Sequence, residues 1–310
     1  MTLSYLPRLA CLVLACFFLT HAATALAVAM SAQRALRRAE SLAPRPAARL
    51  VLSLKLMPLG LAAFCAVGIC APSYLRFEPE RVDERVSLIC LAMAIAGSAI
   101  AGIAIIRGLL GCVRSLRFLR RCREAGSVRD DLKALVIGSP RPLVALAGIV
   151  APRVIMSLGI VEALNEEELA AVLSHESAHR GSWDNLKRLF MSLTPGFASL
   201  DRAWVRFAEF AADEEAVAGD AMRAVALASA LVRVSRFGPI VEKSAVAIFF
   251  LGNTTDLTER VDRLLAPRPC VASSQRTTVS ALLLAGCLAV LAFNPATLRL
   301  VQSLLEGLIR

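Results

Sequence analysis

The stretch "NEEELAAVLSHESAHRGSWDNL" (residues 165–186) determines the fold at the centre of this chain. Asn165 is a favourable N-cap, and Glu168 stands at the third helical position, which is the capping-box pattern. The two glutamates between them complement the positive end of a helix dipole. We therefore predict a helix over about residues 166–180.

The same stretch carries two histidines that flank a glutamate in an HExxH arrangement. Positions four residues apart lie on one face of a helix, so His175 and His179 can each bind one metal ion through a ring nitrogen. Glu176 stands beside the first histidine, within reach of a metal-bound water. The pattern predicts two zinc ligands, His175 and His179, and a general base, Glu176.

A second acidic motif, "EFAAD" from Glu209 to Asp213, follows on a predicted helix. A catalytic zinc needs three protein ligands and an open position, and a glutamate can be the third ligand. We predict Glu209 as that ligand, with Asp213 one turn later accepting the spare N–H of a ligand histidine. The alternative is an acidic stripe on a solvated helix, which the run "DEE" at 213–215 would also fit.

The composition indicates a membrane protein, because 57% of the 310 residues are hydrophobic and only 19% are charged. A hydrocarbon core about 30 Å thick needs roughly 20 helical residues. Four stretches meet this need, at about 9–30, 56–75, 86–106 and 278–296. We therefore predict three spans within residues 1–106, a folded domain over 107–277, and a fourth span with a short external tail over 278–310.

The formal charge of the sequence is +10, and the positions of the basic residues indicate how the chain is oriented in the membrane. The loop after the first span holds five arginines against Glu40 alone, whereas the loop at 76–85 is rich in acidic residues. By the positive-inside rule, the first loop and the 107–277 domain are cytoplasmic and both termini are external. We expect contact with the lipid bilayer and its anionic headgroups, and no direct nucleic-acid binding.

The first span has an alternative interpretation as a signal peptide. Arg8 precedes its apolar run, and "ATA" at 23–25 could be a cleavage site. Cleavage there would leave the arginine-rich loop outside, against the charge rule. We therefore favour a span that is retained.

Within the central segment, residues 107–131 predict a basic amphipathic helix. "LVALAGIV" (143–150) and "RVIMSLGI" (153–160) predict strands, and the first of them could bind an extended substrate as an edge strand. Residues 201–236 predict a further helix, broken near Gly219. The expected fold class is a mainly α membrane protein with four transmembrane helices and an α+β zinc domain between the third and the fourth.

"ALNEEELAAVLSHESAHRGSWDNL" followed by "EFAAD" resembles the BlaR/MecR-type family of integral-membrane zinc metallopeptidases and, more distantly, the HtpX and CAAX prenyl protease group. These families share the gluzincin pattern of HExxH followed by E-x-x-A-D or a close variant. The resemblance implies a bacterial-type multi-pass protein of the cytoplasmic membrane. It also implies one zinc ion per chain, held by His175, His179 and Glu209, with Glu176 as the base and Asp213 behind a ligand. The implied activity is that of a zinc metalloendopeptidase at the cytoplasmic face, acting in regulated proteolysis or signalling.

Two departures from that family pattern matter. Antibiotic-sensing members carry a sensor domain after the fourth span, whereas this sequence ends at Arg310, so we expect no beta-lactam sensing by this chain. The central segment also has no further histidine and no tyrosine to stabilise an oxyanion. Arg260 in "TERVDRLL" is a candidate by its charge, and a basic residue on a solvated helix is the alternative.

The resemblance suggests a protein or peptide substrate, such as a cytoplasmic repressor, a membrane protein or the chain itself. No residue pattern specifies an oligomeric state. The competing function is a non-catalytic membrane signal transducer or scaffold that retains the zinc fold. Glu176 argues against it, because metal ligation alone does not need that residue. A small transporter would need polar groups within the spans, where His21 is the one candidate.

Overall fold

The computed structural model describes residues 2–77, 84–139, 143–237, 248–249, 254–266, 294, 298–300 and 303. The contacts divide the chain into two compact units. The apolar unit comprises Met1–Gln33, Leu54–Ile105 and Val271–Arg310, and the central unit comprises Arg34–Ser53 and Ile106–Cys270. The two units are described separately.

Long apolar helices occupy the first 125 residues of the chain. They are α1 (Tyr5–Glu40), α2 (Pro44–Ala63), a π-helix (Phe64–Cys70) with α3 (Ala71–Phe77), and α4 (Leu88–Ala125). Three stretches, Tyr5–Glu40, Pro44–Phe77 and Leu88–Ala125, are long and apolar enough to cross a membrane. They correspond to the predicted spans at 9–30, 56–75 and 86–106. The predicted fourth span, 278–296, lies outside the described residues apart from Asn294.

Close packing inside the apolar unit depends on a glycine. A Cβ atom added to Gly97 of α4 would lie 2.3 Å from the carbonyl oxygen of Leu14 in α1. Glycine therefore permits the two backbones to approach, as small residues do between membrane helices. At the start of these helices, β1 (Thr2–Leu3) pairs antiparallel with β2 (Glu84–Arg85).

The central unit contains a small mixed sheet. Its strands are β3 (Gly126–Arg129), β4 (Ala134–Ile137), β5 (Val144–Ala147), β6 (Arg153–Ser157) and β7 (Ile248–Phe249). The order is β3-β4-β6-β5-β7, in which β4 and β6 are parallel and all other neighbours are antiparallel. The strands predicted at 143–150 and 153–160 are confirmed as β5 and β6, each shorter than predicted.

Two sequence predictions about this region are wrong. The helix predicted over 107–131 ends at Ala125, because residues 126–129 pair with β4 instead. A Cβ atom on Gly126 would lie 2.4 Å from the carbonyl oxygen of Val136, so this close pairing depends on glycine. The expected edge strand β5 lies between β6 and β7, and its residues Ala145 and Leu146 pair with β7.

Six helices complete the central unit among the described residues. They are α5 (Leu158–Ala163), α6 (Glu166–Gly181), α7 (Asp184–Leu193), α8 (Ala198–Val217), α9 (Ala221–Ser235) and α10 (Thr254–Leu265). The predicted capping box of α6 is present: Asn165 Oδ1 accepts from the Glu168 N–H at 2.8 Å, and Glu168 Oε2 accepts from the Asn165 N–H at 3.0 Å. The predicted break near Gly219 separates α8 from α9.

The core of the central unit fixes α6 in place. Val172 of α6 packs with Leu227 and Leu231 of α9 and with Leu146 and Met156 of the sheet, all nearly or fully buried. Each such side chain contributes roughly 1.5–3 kcal/mol by leaving water. The helix that carries HExxH is therefore held against both the sheet and a neighbouring helix, and its polar residues are positioned by that packing.

Candidate metal centre

The three predicted ligands converge on one point between α6 and α8. The Nε2 atoms of His175 and His179 are 3.1 Å apart. Glu209 Oε2 lies 3.5 Å from His175 Nε2, and Glu209 Oε1 lies 3.6 Å from His179 Nε2. All three side chains are buried, and they form the one group of this kind in the described part of the chain that could hold a metal ion.

The spacing of these donors fits zinc. Ligand atoms about 2 Å from a tetrahedral zinc lie about 3.3 Å from one another, close to the separations of the three donors. Two imidazoles and one carboxylate form a common ligand set of catalytic zinc, with a fourth position left open. The donor types and their spacing are thus both compatible with zinc.

The burial of Glu176 is a second observation that supports a metal site here. Its side chain is fully buried, and neither of its carboxylate oxygens has a hydrogen-bond partner among the described residues. A buried carboxylate without a partner carries a desolvation penalty of several kcal/mol. Such a group, next to two histidines that could bind a metal, is suited to act on a water or substrate atom that enters the site.

Each histidine is oriented by a carboxylate behind it. His175 Nδ1 lies 2.9 Å from Asp213 Oδ1, as the sequence predicts for Asp213. His179 Nδ1 lies 2.8 Å from Asp184 Oδ2, and Lys187 Nζ donates to Asp184 Oδ1 at 2.8 Å. A carboxylate at Nδ1 holds the proton there and leaves Nε2 free to bind metal. Asp184 therefore does for His179 what Asp213 does for His175.

Replacing Asp184 with asparagine should weaken zinc binding by about 10–100-fold, because an amide no longer fixes the tautomer and orientation of His179. Competition with a fluorescent zinc chelator measures this affinity directly. The matched control is Asp130→Asn, an exposed aspartate of the same unit, which should bind zinc as the wild type does. Equal affinities for the two variants would show that Asp184 does not support the ligand.

The surroundings of the two glutamates shift their pKa values in opposite directions. Burial alone would raise the pKa of Glu209, but the positive charge of Arg260 and the contacts with both histidines hold that pKa well below its ordinary value. Burial raises the pKa of Glu176, although the neighbouring histidines oppose this. Glu209 therefore stays ionised, as a metal ligand must be, and the pKa of Glu176 is raised, which is the direction that suits a general base.

The surroundings of both histidines raise their pKa and so favour the protonated ring, which competes with metal binding. Burial alone would lower the pKa of His179, but the charge of Glu209 and the contact with Asp184 outweigh it and raise that pKa to about 10. A metal ion must take the same ring nitrogen that this proton would occupy. Binding of a metal here therefore releases protons and is weaker in acid.

Arg260 is buried, with 2% of the residue exposed. The alternative interpretation, a basic residue on a solvated helix, is therefore wrong. Its Nε and one terminal nitrogen donate to the two oxygens of Asp213 at 2.8 and 2.7 Å. The other terminal nitrogen lies 3.1 Å from Glu209 Oε2. The guanidinium thus contacts two carboxylates of the site, and its role as an oxyanion stabiliser stays a prediction.

Three contributors to the site were not assigned roles from the sequence. Asp184 is one. Trp183 is another, because its left-handed backbone, with φ of 58°, turns the chain between α6 and α7 and so brings Asp184 back to His179. The third is Asn185, whose side-chain amide donates to the carbonyl oxygens of Leu146 and Gly148 at 2.9 and 2.7 Å. The run "WDN" after HExxH was the available signal.

Comparison with protein families agrees with this geometry. Residues 117–237 match the model of peptidase family M48, a zinc metallopeptidase family. The matched region contains the HExxH helix, Glu209 and Asp213, and it ends before Arg260. Neither the curated proteins nor the solved structures contain a match to this chain. Residues 117–237 are therefore similar to an M48 peptidase domain, which supports a zinc-dependent protease. The apolar helices suggest that the protein is associated with a membrane.

Proposed function

We propose that this protein is a membrane-embedded zinc-dependent endopeptidase that hydrolyses peptide bonds at the cytoplasmic membrane face. The observation that carries the proposal is Glu176, a buried carboxylate that has no partner in the described structure and stands beside three convergent metal donors. A site that only held a metal for stability would not need such a group.

The proposed division of labour follows from the contacts. His175, His179 and Glu209 would hold a zinc ion, which supplies a Lewis acid that polarises the scissile carbonyl and acidifies water. Glu176 accepts the proton of the attacking water and later delivers it to the leaving amine. The enclosed position of Glu176 strengthens its electrostatic interaction with that proton, because little solvent competes there.

The proposed cytoplasmic location is supported by the arginine-rich segment Arg34–Ser53. This segment belongs to the same compact unit as the metal centre. Arg45 forms an ion pair with Glu215, next to the end of α8, and Arg206 lies 3.8 Å from Glu40. If the positive-inside rule holds the arginine-rich loop in the cytoplasm, the metal centre is cytoplasmic with it and both termini are external.

The substrate is proposed to be a protein or peptide, with a repressor or the chain itself as candidates from the BlaR/MecR-type resemblance. That resemblance also supports a bacterial-type inner membrane and a role in regulated proteolysis. The extent of strand β7 limits strand addition at β5, so an extended substrate would need a different edge or the part of β5 beyond Leu146.

Removal of the metal tests the proposal. The full chain, purified in detergent micelles, should cleave an unfolded protein such as casein, stop after treatment with 1,10-phenanthroline, and regain activity when zinc is added back. Cleavage is followed by mass spectrometry of the released peptides. Proteolysis that persists in the metal-stripped protein would contradict the proposal. A chain that binds zinc but yields no peptides from casein or from its own membranes would instead favour the scaffold function.

A further inference from the structure

We infer that Arg260 is a positioning residue that holds Glu209 and Asp213 in the arrangement required for metal binding. The inference rests on the proposed function, because it assigns Arg260 a role at that site. One guanidinium contacts the third ligand and also the carboxylate that orients His175. A single cation therefore links two of the three metal donors.

The sequence of α10 explains why Arg260 is buried. Leu257, Val261 and Leu264 recur at helical spacing and pack against the core of the central unit. Arg260 follows Leu257 by three residues and precedes Leu264 by four, so it falls on the same side of the helix, and the packing that buries the leucines also carries it inward. A buried guanidinium needs charged partners, and α8 provides them.

Further ion pairs align α10 with α8 but leave the metal donors untouched. Arg206 Nε donates to Glu259 Oε2 at 2.8 Å, and Arg263 lies 3.4 Å from Glu214. The side chains of Arg263 and Glu214 are 44% and 42% exposed, so this pair contributes little to stability. Arg260 differs from both of these arginines because its carboxylate partners are buried and belong to the site.

The shape of the contact requires arginine. The side of the guanidinium formed by Nε and one terminal nitrogen takes both oxygens of Asp213, while the remaining terminal nitrogen reaches Glu209. This planar fork fixes the orientation of both carboxylates, and the single ammonium of a lysine cannot reproduce it. All three nitrogens of the guanidinium are engaged by Asp213 and Glu209, so its role is to hold these two carboxylates in place.

The test compares Arg260→Met and Arg260→Lys with the wild type, using full-length protein in detergent micelles. The primary measurement is zinc affinity by chelator competition, which needs no substrate. Arg260→Met should bind zinc about 10–100-fold more weakly, as when a partner behind a metal ligand is lost. Arg260→Lys should recover part of that loss. With casein and saturating zinc, kcat should fall more than KM changes, because Glu209 and His175 are no longer held in place.

Arg263→Met is the matched control. It removes an ion pair between the same two helices without touching Glu209 or Asp213, so zinc affinity and kcat should stay within about twofold of the wild type. If Arg260→Met does not fold by circular dichroism, Arg260→Lys and Asp213→Asn are measured instead, and both should weaken zinc binding.

Unchanged zinc affinity in the folded Arg260 variants would overturn the inference. A fall in kcat of about 10²–10³-fold with unchanged zinc affinity would also overturn it, because that result identifies an oxyanion stabiliser. If Arg263→Met weakens zinc binding as much as Arg260→Met, the effect belongs to helix docking and the inference fails. Absence of zinc binding by the wild type would refute the proposed function itself, which keeps the two failures distinct.

Discussion

Replacing Glu176 with glutamine is expected to lower kcat by about 10²–10⁴-fold and to leave the zinc content unchanged. Glutamine has nearly the same size and can occupy the same buried space, but it cannot accept the proton of an attacking water. The three candidate metal ligands, His175, His179 and Glu209, are unchanged in this variant. Loss of proteolysis with retained zinc would therefore identify Glu176 as the general base.

Two measurements check this expectation. Zinc is determined by mass spectrometry of the purified variant, and peptides released in membranes that contain wild type or Glu176→Gln are compared. The matched control is Glu167→Gln, an exposed position in the first turn of the same helix, which should cleave as the wild type does. A Glu176→Gln variant as active as the wild type would remove the base assignment and favour the scaffold function. The peptides that disappear in the variant would identify the substrate.

The helix that carries HExxH could be predicted from local sequence because every signal for it is local. The capping box joins Asn165 and Glu168, three residues apart, and the histidines share a face through helical periodicity alone. The prediction of 166–180 agrees with the observed α6, Glu166–Gly181, to within one residue. The three apolar helices could also be predicted from the sequence, since their length and apolar composition are sufficient to identify them.

The features that sequence analysis missed depend on contacts between distant residues. Ile248 and Phe249 of β7 are residue types that favour strands, but their pairing with β5 joins residues about a hundred positions apart, which no local pattern specifies. The end of α4 at Ala125 depends on a shorter-range contact, because Gly126 pairs with Ile137 of β4 and this pairing outweighs helical periodicity. The partners of Arg260 likewise lie on a different helix, α8, and Asp213 stands 47 residues earlier in the chain.

The sequence of α10 does carry a signal for the burial of Arg260. In α10 it lies among Leu257, Val261 and Leu264, on the side of the helix that periodicity assigns to the core. A charged residue on such a face predicts a buried partner of opposite charge. The acidic motif around Glu209 and Asp213 was the obvious candidate, and the structure shows that pairing.

Replacing His175 with alanine is expected to reduce bound zinc from about one ion per chain to none measurable, and with it all proteolysis. Two donors would remain, His179 and Glu209, which is one fewer than a catalytic zinc site needs. The variant should stay folded, because Asp213 keeps its paired contact with Arg260 after the imidazole is gone. Zinc loss should therefore be separable from unfolding.

Thermal unfolding with and without zinc distinguishes these outcomes. A ligand that binds only the folded state at 1,000 times its dissociation constant stabilises that state by about 4 kcal/mol, so zinc should raise the melting temperature of the wild type and not that of His175→Ala. The control is His21→Ala, since His21 is the third histidine of the chain and lies in the apolar unit, where it stacks on Phe17. That variant should bind one zinc ion. Equal zinc content in both variants would mean that the metal is bound elsewhere, and the convergence of His175, His179 and Glu209 would need another explanation.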